Sequence, residues 1–233
     1  MRQVFTAFQN GIQGSELSFE ESKSKFRSSS PQEGRKPYTP LPHDDTPCWI
    51  NEHVEHEDLL LPHSGQAVNL TYGWKHFLFE EYDVTFLQTQ LPNLRAGRLP
   101  DVIVISSGLH NCYHFKDARA WEDQRDLDAF LTELDRVPYA LPPIVWLDNV
   151  IFDKPAPETG YPEACRRFNE YYRARIRARV LSGDRRDSLV SREQITWTAP
   201  SELWGDQLRL HLAADVYTVV AGFVLQAMEA LRI

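Results

Sequence analysis

Residues 100–111, PDVIVISSGLHN, constrain this chain more than any other stretch. From Asp101 to Ile105 there is almost no polar relief, and the run then breaks into Ser106, Ser107, Gly108, Leu109, His110 and Asn111. A short apolar run bounded by turn residues reads as a strand covered on both faces, the kind found in parallel sheets. A second such run, PIVWLD at 143–148, follows. Between them, Leu127, Phe130, Leu131 and Leu134 recur at three- and four-residue spacing, which predicts a helix over 121–134. Strand, helix and strand at this spacing imply a βαβ crossover and a parallel sheet, hence an α/β fold.

The rest of the chain extends the pattern. AVNLTYGW, 67–74, is β-branched and aromatic and predicts a strand, and 75–90 is helix-like. A helix over 162–181 carries Phe168, Tyr172, Ile176 and Val180 on one stripe. QITWT, 194–198, reads as a short strand, and 210–231 as a long amphipathic final helix. At the other end, Val4, Phe8 and Ile12 are spaced as one helix face. Residues 13–66 differ from all of this: SKSKFRSSSPQEGRKPYTPLPHDD is polar and proline-rich, a long surface excursion inserted into a single 233-residue domain.

Composition excludes several functions. A net charge of −8 argues against a nucleic-acid surface, which needs a basic excess. No apolar stretch reaches the roughly 18 residues needed to span a bilayer, and MRQVFTAFQNGIQGSE lacks the apolar core of a signal peptide. Cys48, Cys112 and Cys165 show no CxxC spacing and imply neither a disulfide framework nor a zinc site.

In open parallel sheets ligands bind outside the carboxyl ends of the strands. Residues 106–111 stand at such an end, so Gly108 would allow close approach to the backbone, and His110 and Asn111 would donate hydrogen bonds to a developing oxyanion. The alternative is an ordinary strand-end turn with a satisfied histidine. WGDQLRLHLAADVY, 204–217, places Asp206 ahead of His211. Such a pair suits a general base with its orienting acid; the alternative is a helix cap and a surface histidine. No GxSxG elbow occurs. Ser106 and Ser107 precede Gly108 on the wrong side for that geometry, Ser188 sits in a charged loop with no strand before it, and Cys112 has nothing to depress its pKa.

These pieces resemble the SGNH (GDSL-like) hydrolase superfamily, in particular its PC-esterase branch of sugar O-acyl esterases and acyltransferases. PDVIVISSGLHN is similar to the third block of that branch, and GDQLRLH stands where the family carries its Asp-x-x-His block. Here Asp206 and His211 are five positions apart rather than three. MRQVFTAFQ looks like the continuation of the first block just after its Gly-Asp-Ser. The resemblance covers about 1–12 and 67–231. It implies a three-layer α/β/α, flavodoxin-like fold with a central parallel sheet that lacks its first strand. It implies an ester hydrolase or O-acyltransferase acting on acylated sugars, with the nucleophilic serine upstream of Met1, His211 as base, Asp206 as orienter, and Gly108, His110 and Asn111 as oxyanion or substrate contacts. No metal or organic cofactor is implied, and the partner is a small-molecule or glycan ester. The competing expectation is a non-catalytic module that keeps the cleft without the nucleophile.

Two weaker signals remain. His43, His53, His56, His63 and Cys48 gather in 43–63, where His53 and His56 would share a helix face as metal ligands do; the second ligand pair is missing, and a polar loop is the plainer reading. The run CRRFNEYYRARIRARVL concentrates arginines on one helix. It suits an anionic ligand or, more simply, a solvated face whose arginine stems cover apolar surface.

Overall fold

The apolar runs become strands. The computed structural model describes residue 7 and residues 53–60, 67–74, 99–106, 120–148, 161–182, 186–196 and 214–231. Strand β1 is His53–Leu60, β2 Ala67–Trp74 and β3 Ile103–Ser106. Helix α1, Ala120–Asp135, leads to β4, Ile144–Leu147, and α2, Tyr161–Leu181, to β5, Ser188–Val190. The short α3, Arg192–Thr196, and the long α4, Ala214–Ala230, complete the order. Two compact units are distinguished: Met1–His76 with Ala214–Ala221, and Phe77–Ala213 with Gly222–Ile233.

In the second unit β3, β4 and β5 form a parallel sheet in that order, so the α/β reading holds at this level. Strand β4 is central, and all four of its residues are fully buried, so both of its faces are covered. Trp146 meets Phe130 of α1 edge-on at 6.4 Å between centroids and Tyr172 of α2 at 6.2 Å. One side chain touching both helices puts α1 and α2 on the same face of the sheet, because alternate strand residues point to opposite faces. Edge-to-face pairs of this kind contribute about 0.5–1.5 kcal/mol beyond the area they bury. Phe168 extends the aromatic cluster to 6.0 Å from Tyr172.

Helix α1 buries the expected stripe of Leu127, Phe130, Leu131 and Leu134. Helix α2 buries Phe168, Tyr172 and Ile176, with Val180 half-buried. Asp128 couples the two helices, accepting from the Tyr171 hydroxyl at 2.5 Å and from Arg175 Nε at 2.7 Å. Burial and the Asp128 carboxylate together hold the Tyr171 phenol above its ordinary pKa.

Tyr172 is completely buried, and its hydroxyl meets no hydrogen-bond partner among the described residues. Burial, and secondarily the charge of Asp148, push its pKa far above the ordinary 10.0. The folded-state pKa is therefore raised. Its stabilising contribution is complete below about pH 10 and is lost above it, because the unfolded phenol ionises while the folded one does not. Above that pH stability should fall by about 1.4 kcal/mol per pH unit from this group. Tyr172→Phe should remove that slope, and at neutral pH it should be neutral or stabilising by about 1 kcal/mol, since it deletes an unpaired buried hydroxyl. Urea unfolding at pH 7, 10 and 11 checks both effects; a Phe variant that is clearly less stable at pH 7 would mean the hydroxyl has a partner.

Several expectations are corrected. QITWT is not a strand: residues 194–196 belong to α3, and the neighbouring strand is β5, which Ser188 opens. Ser188 is thus in the sheet and not in a loop. Residues 53–60, within the expected surface excursion, form β1, paired antiparallel with β2 from His53↔Trp74 to Leu60↔Ala67. Hence β2 belongs to this two-stranded sheet and not to the parallel one. His53 and His56 lie in a strand, so the helical spacing behind a shared ligand face is absent.

In α4, Val216, Tyr217, Val220, Ala221 and Val224 are buried at helical spacing, while Val219, Phe223 and Leu225 are about half exposed. Among the described residues no helix is long and apolar enough to cross a membrane. Of the helix expected over 1–12, only Ala7 is described, and it is helical; the stretch 75–90 lies outside the described residues.

Candidate functional site

The carboxyl ends of the parallel strands lie level. Ser106 pairs with Leu147, and Leu147 with Val190, so the chain leaves the sheet at Asp148 and Ser191 along the same rim. Asp148 is buried there, and its carboxylate is fully engaged. Oδ1 accepts from the backbone N–H of Glu193 at 3.1 Å; Oδ2 accepts from Ser191 Oγ at 2.7 Å and Arg173 Nη1 at 3.1 Å. The Asp148 carbonyl accepts from Arg192 Nε. Glu193 completes the cluster, accepting from Arg173 and, at 3.2 Å, from Asn169 Nδ2.

This cluster closes its own charge, with two carboxylates against two guanidinium groups. Burial alone would weaken the hold of Arg173 on its proton, but the hydrogen bonds and charges of Glu193 and Asp148 outweigh it and raise its pKa. Ser191 caps α3: its Oγ accepts from Gln194 N at 3.4 Å while donating to Asp148. A carboxylate saturated by donors does not withdraw a proton from that hydroxyl. The chemistry open to these residues is therefore anchoring: they lock β4, α2 and the β5–α3 corner together behind the rim. The spacing Ser191-x-x-Gln194 is a capping-box signature that marks the start of α3 in the sequence. Nothing in the sequence pairs Asp148 with residues more than forty positions later.

At the amino end, Asp187 is the counterpart. Its carboxylate accepts from Ile144 N and Trp146 Nε1, each at 3.2 Å, and from Arg179 Nε at 3.3 Å. Arg179 also reaches Asp135 of α1 at 2.6 Å. Two arginines of α2 are thus spent on acids of other elements: Arg173 and Arg179 are only 14% and 10% exposed, whereas Arg167, Arg175 and Arg177 stand on an exposed face. For Arg173 and Arg179 neither a solvated face nor an anion site applies; the solvated face describes the exposed members of the run. A cavity of about 450 Å³ lies at this end, between Leu134, Tyr139, Leu141, Pro143 and Arg186. It is at the opposite end of the strands from the rim where ligands of open parallel sheets bind.

The expected site residues Gly108, His110, Asn111, Asp206 and His211 lie outside the described residues, as do Ser107, Cys112 and Cys48. The strand that leads to Gly108 is described, and it ends at Ser106 on the rim.

No protein-family model and no curated protein matches the chain. Among solved structures, one crystal structure is similar at 18% identity and a TM-score of 0.46, over 62% of this chain and 66% of its own. Another is Est24, a carbohydrate acetylesterase from Sinorhizobium meliloti, at 15% identity and a TM-score of 0.45, over 67% of this chain and 74% of its own.

Proposed function

We propose that this chain carries the catalytic crevice of an SGNH-type ester hydrolase or O-acyltransferase of the PC-esterase kind, built on a three-layer α/β/α fold and acting on acylated sugars. The observation that carries the reading is the strand Ile103–Ser106 within PDVIVISSGLHN, a member of a parallel sheet whose next residues run to Gly108 and His110. In this reading His211 is the general base, Asp206 fixes its tautomer, and Gly108, His110 and Asn111 contact the oxyanion or the substrate. The nucleophile is a serine supplied by a Gly-Asp-Ser segment, which the 233 residues do not contain. It would form an acyl-enzyme that water or a sugar hydroxyl resolves.

The test begins with the reading frame upstream of Met1, which should encode Gly-Asp-Ser. The extended protein should hydrolyse an acetyl ester, and His211→Ala should lower kcat/KM by about three orders of magnitude or more. An extended frame without those codons removes the catalytic reading. The second reading is a binding module that keeps the crevice without chemistry. Ester hydrolysis by the 233-residue chain itself, lost in His211→Ala, overturns that one.

A further inference from the structure

Residues 185–189 read Arg-Arg-Asp-Ser-Leu. Two arginines at the third and second positions before a serine, with an apolar residue after it, form the pattern that basic-directed serine kinases accept. Such a kinase holds the stretch extended and seats the guanidinium groups on its own carboxylates, which brings the hydroxyl to the γ-phosphate of ATP. A match this short carries weight only through its structural setting.

Here the setting is the parallel sheet. Arg186 is exposed, Asp187 is only 5% exposed, and Ser188 and Leu189 are half-buried. Ser188 opens β5 in register with Val145 of the buried β4. The residue before it, Asp187, accepts from Ile144 N and Trp146 Nε1 of β4 and from Arg179 Nε of α2. A kinase needs the main chain on both sides of the serine, so 186–189 must leave β4 before phosphate can be transferred. At three residues β5 is the shortest of the described strands, and short elements open locally at less cost than the whole fold.

We propose that Ser188 is a phosphorylation site uncovered only when β5 leaves the sheet, and that the phosphate then keeps β5 out. Transfer forms the Oγ–P bond, breaks the terminal anhydride bond of ATP, releases ADP and hands the hydroxyl proton to the kinase's carboxylate base. The phosphoserine carries a charge of about −1.5 to −2 at neutral pH. Back in the sheet it would stand one residue from the buried Asp187 carboxylate. The arginine bound to that acid, Arg179, is already shared with Asp135. A phosphate beside a buried carboxylate disrupts by like-charge repulsion and by the cost of its own desolvation. A transient opening of β5 thus becomes a lasting one, and the strand is the two-state element of a switch.

The test uses the catalytic subunit of cyclic-AMP-dependent protein kinase with MgATP. It compares the folded 233-residue chain with a synthetic peptide covering 182–192, and mass spectrometry locates the phosphate. The peptide should be phosphorylated at Ser188, and the folded chain at least about a hundredfold more slowly, because opening must precede transfer. Trp146→Phe and Arg179→Gln each remove a donor to Asp187 and leave 182–192 unchanged. Each should raise the rate by about tenfold while far-UV dichroism stays that of the wild type. If neither variant folds, prolonged incubation of the wild-type chain decides the matter: its phosphorylated fraction should unfold at a lower urea concentration than the rest. A peptide that takes no phosphate at Ser188 overturns the proposal, as does a folded chain phosphorylated as fast as the peptide. Folded variants no faster than the wild type overturn it too. So does a wild-type chain that stays unmodified on prolonged incubation, or one that keeps its unfolding midpoint once phosphorylated.

Discussion

Asp148→Ala should destabilise the protein by about 3–5 kcal/mol, because removing one member of a buried ion cluster unbalances its charge and takes the acceptor from three buried or part-buried donors. The carboxylate holds together three separate pieces of chain: the Glu193 N–H, the Ser191 hydroxyl and the Arg173 guanidinium. Its loss takes one of the two acids from Arg173, which keeps Glu193, and leaves the Glu193 N–H at the start of α3 without its acceptor. A domain with a total stability of about 5–15 kcal/mol would retain only part of it. Urea unfolding followed by far-UV dichroism measures the change. A loss under about 1 kcal/mol would mean that water reaches the cluster and replaces the carboxylate. The double variant Asp148→Ala with Arg173→Met should be less damaged than the two single effects added together, since the second change removes the charge that the first one strands.

Trp146→Ala should cost a similar amount, about 3–5 kcal/mol, for a different reason. The indole is fully buried between Phe130 and Tyr172, and neighbours drawn from two helices and a strand cannot all close in on the space it leaves. Trp146→Phe separates the contributions. It keeps most of the packing but removes the indole N–H that Asp187 accepts, for which about 1–3 kcal/mol is expected. Equal losses in the two variants would show that the hydrogen bond, and not the ring volume, sets the cost.

The sequence carried the parallel part of the fold because its signal is local. An uninterrupted apolar run such as Ile144–Leu147 has one stable environment, and the spacing of Leu127, Phe130, Leu131 and Leu134 has one compatible period. The opposite held for β1. HVEHEDLL is rich in charge and poor in β-branched residues, and it becomes a strand through its pairing with β2, a tertiary effect that outweighs propensity. QITWT failed in the reverse direction: β-branched and aromatic residues suggested a strand, while the Ser191 cap and the Asp148 carboxylate start a helix just before it. The arginine run was legible as a pattern but not in its use, because the acids that take Arg173, Arg175 and Arg179 come from α1, β4, β5 and α3 or their flanks. Of the proposed site, the sequence names the residues, and the structure describes only the strand that leads toward Gly108. That strand ends at Ser106.

The two buried aspartates have a kinetic meaning too. Each fastens an end of β4 to residues about forty positions away: Trp146 to Asp187 and Asp148 to Glu193. Neither clasp can close until the intervening helix α2 has been laid across the sheet, so the centre of the fold is secured by contacts that form late. Folding rates fall as the sequence separation of the essential contacts grows. A chain arrested before those clasps close would have its helices made and its middle strand still unfastened.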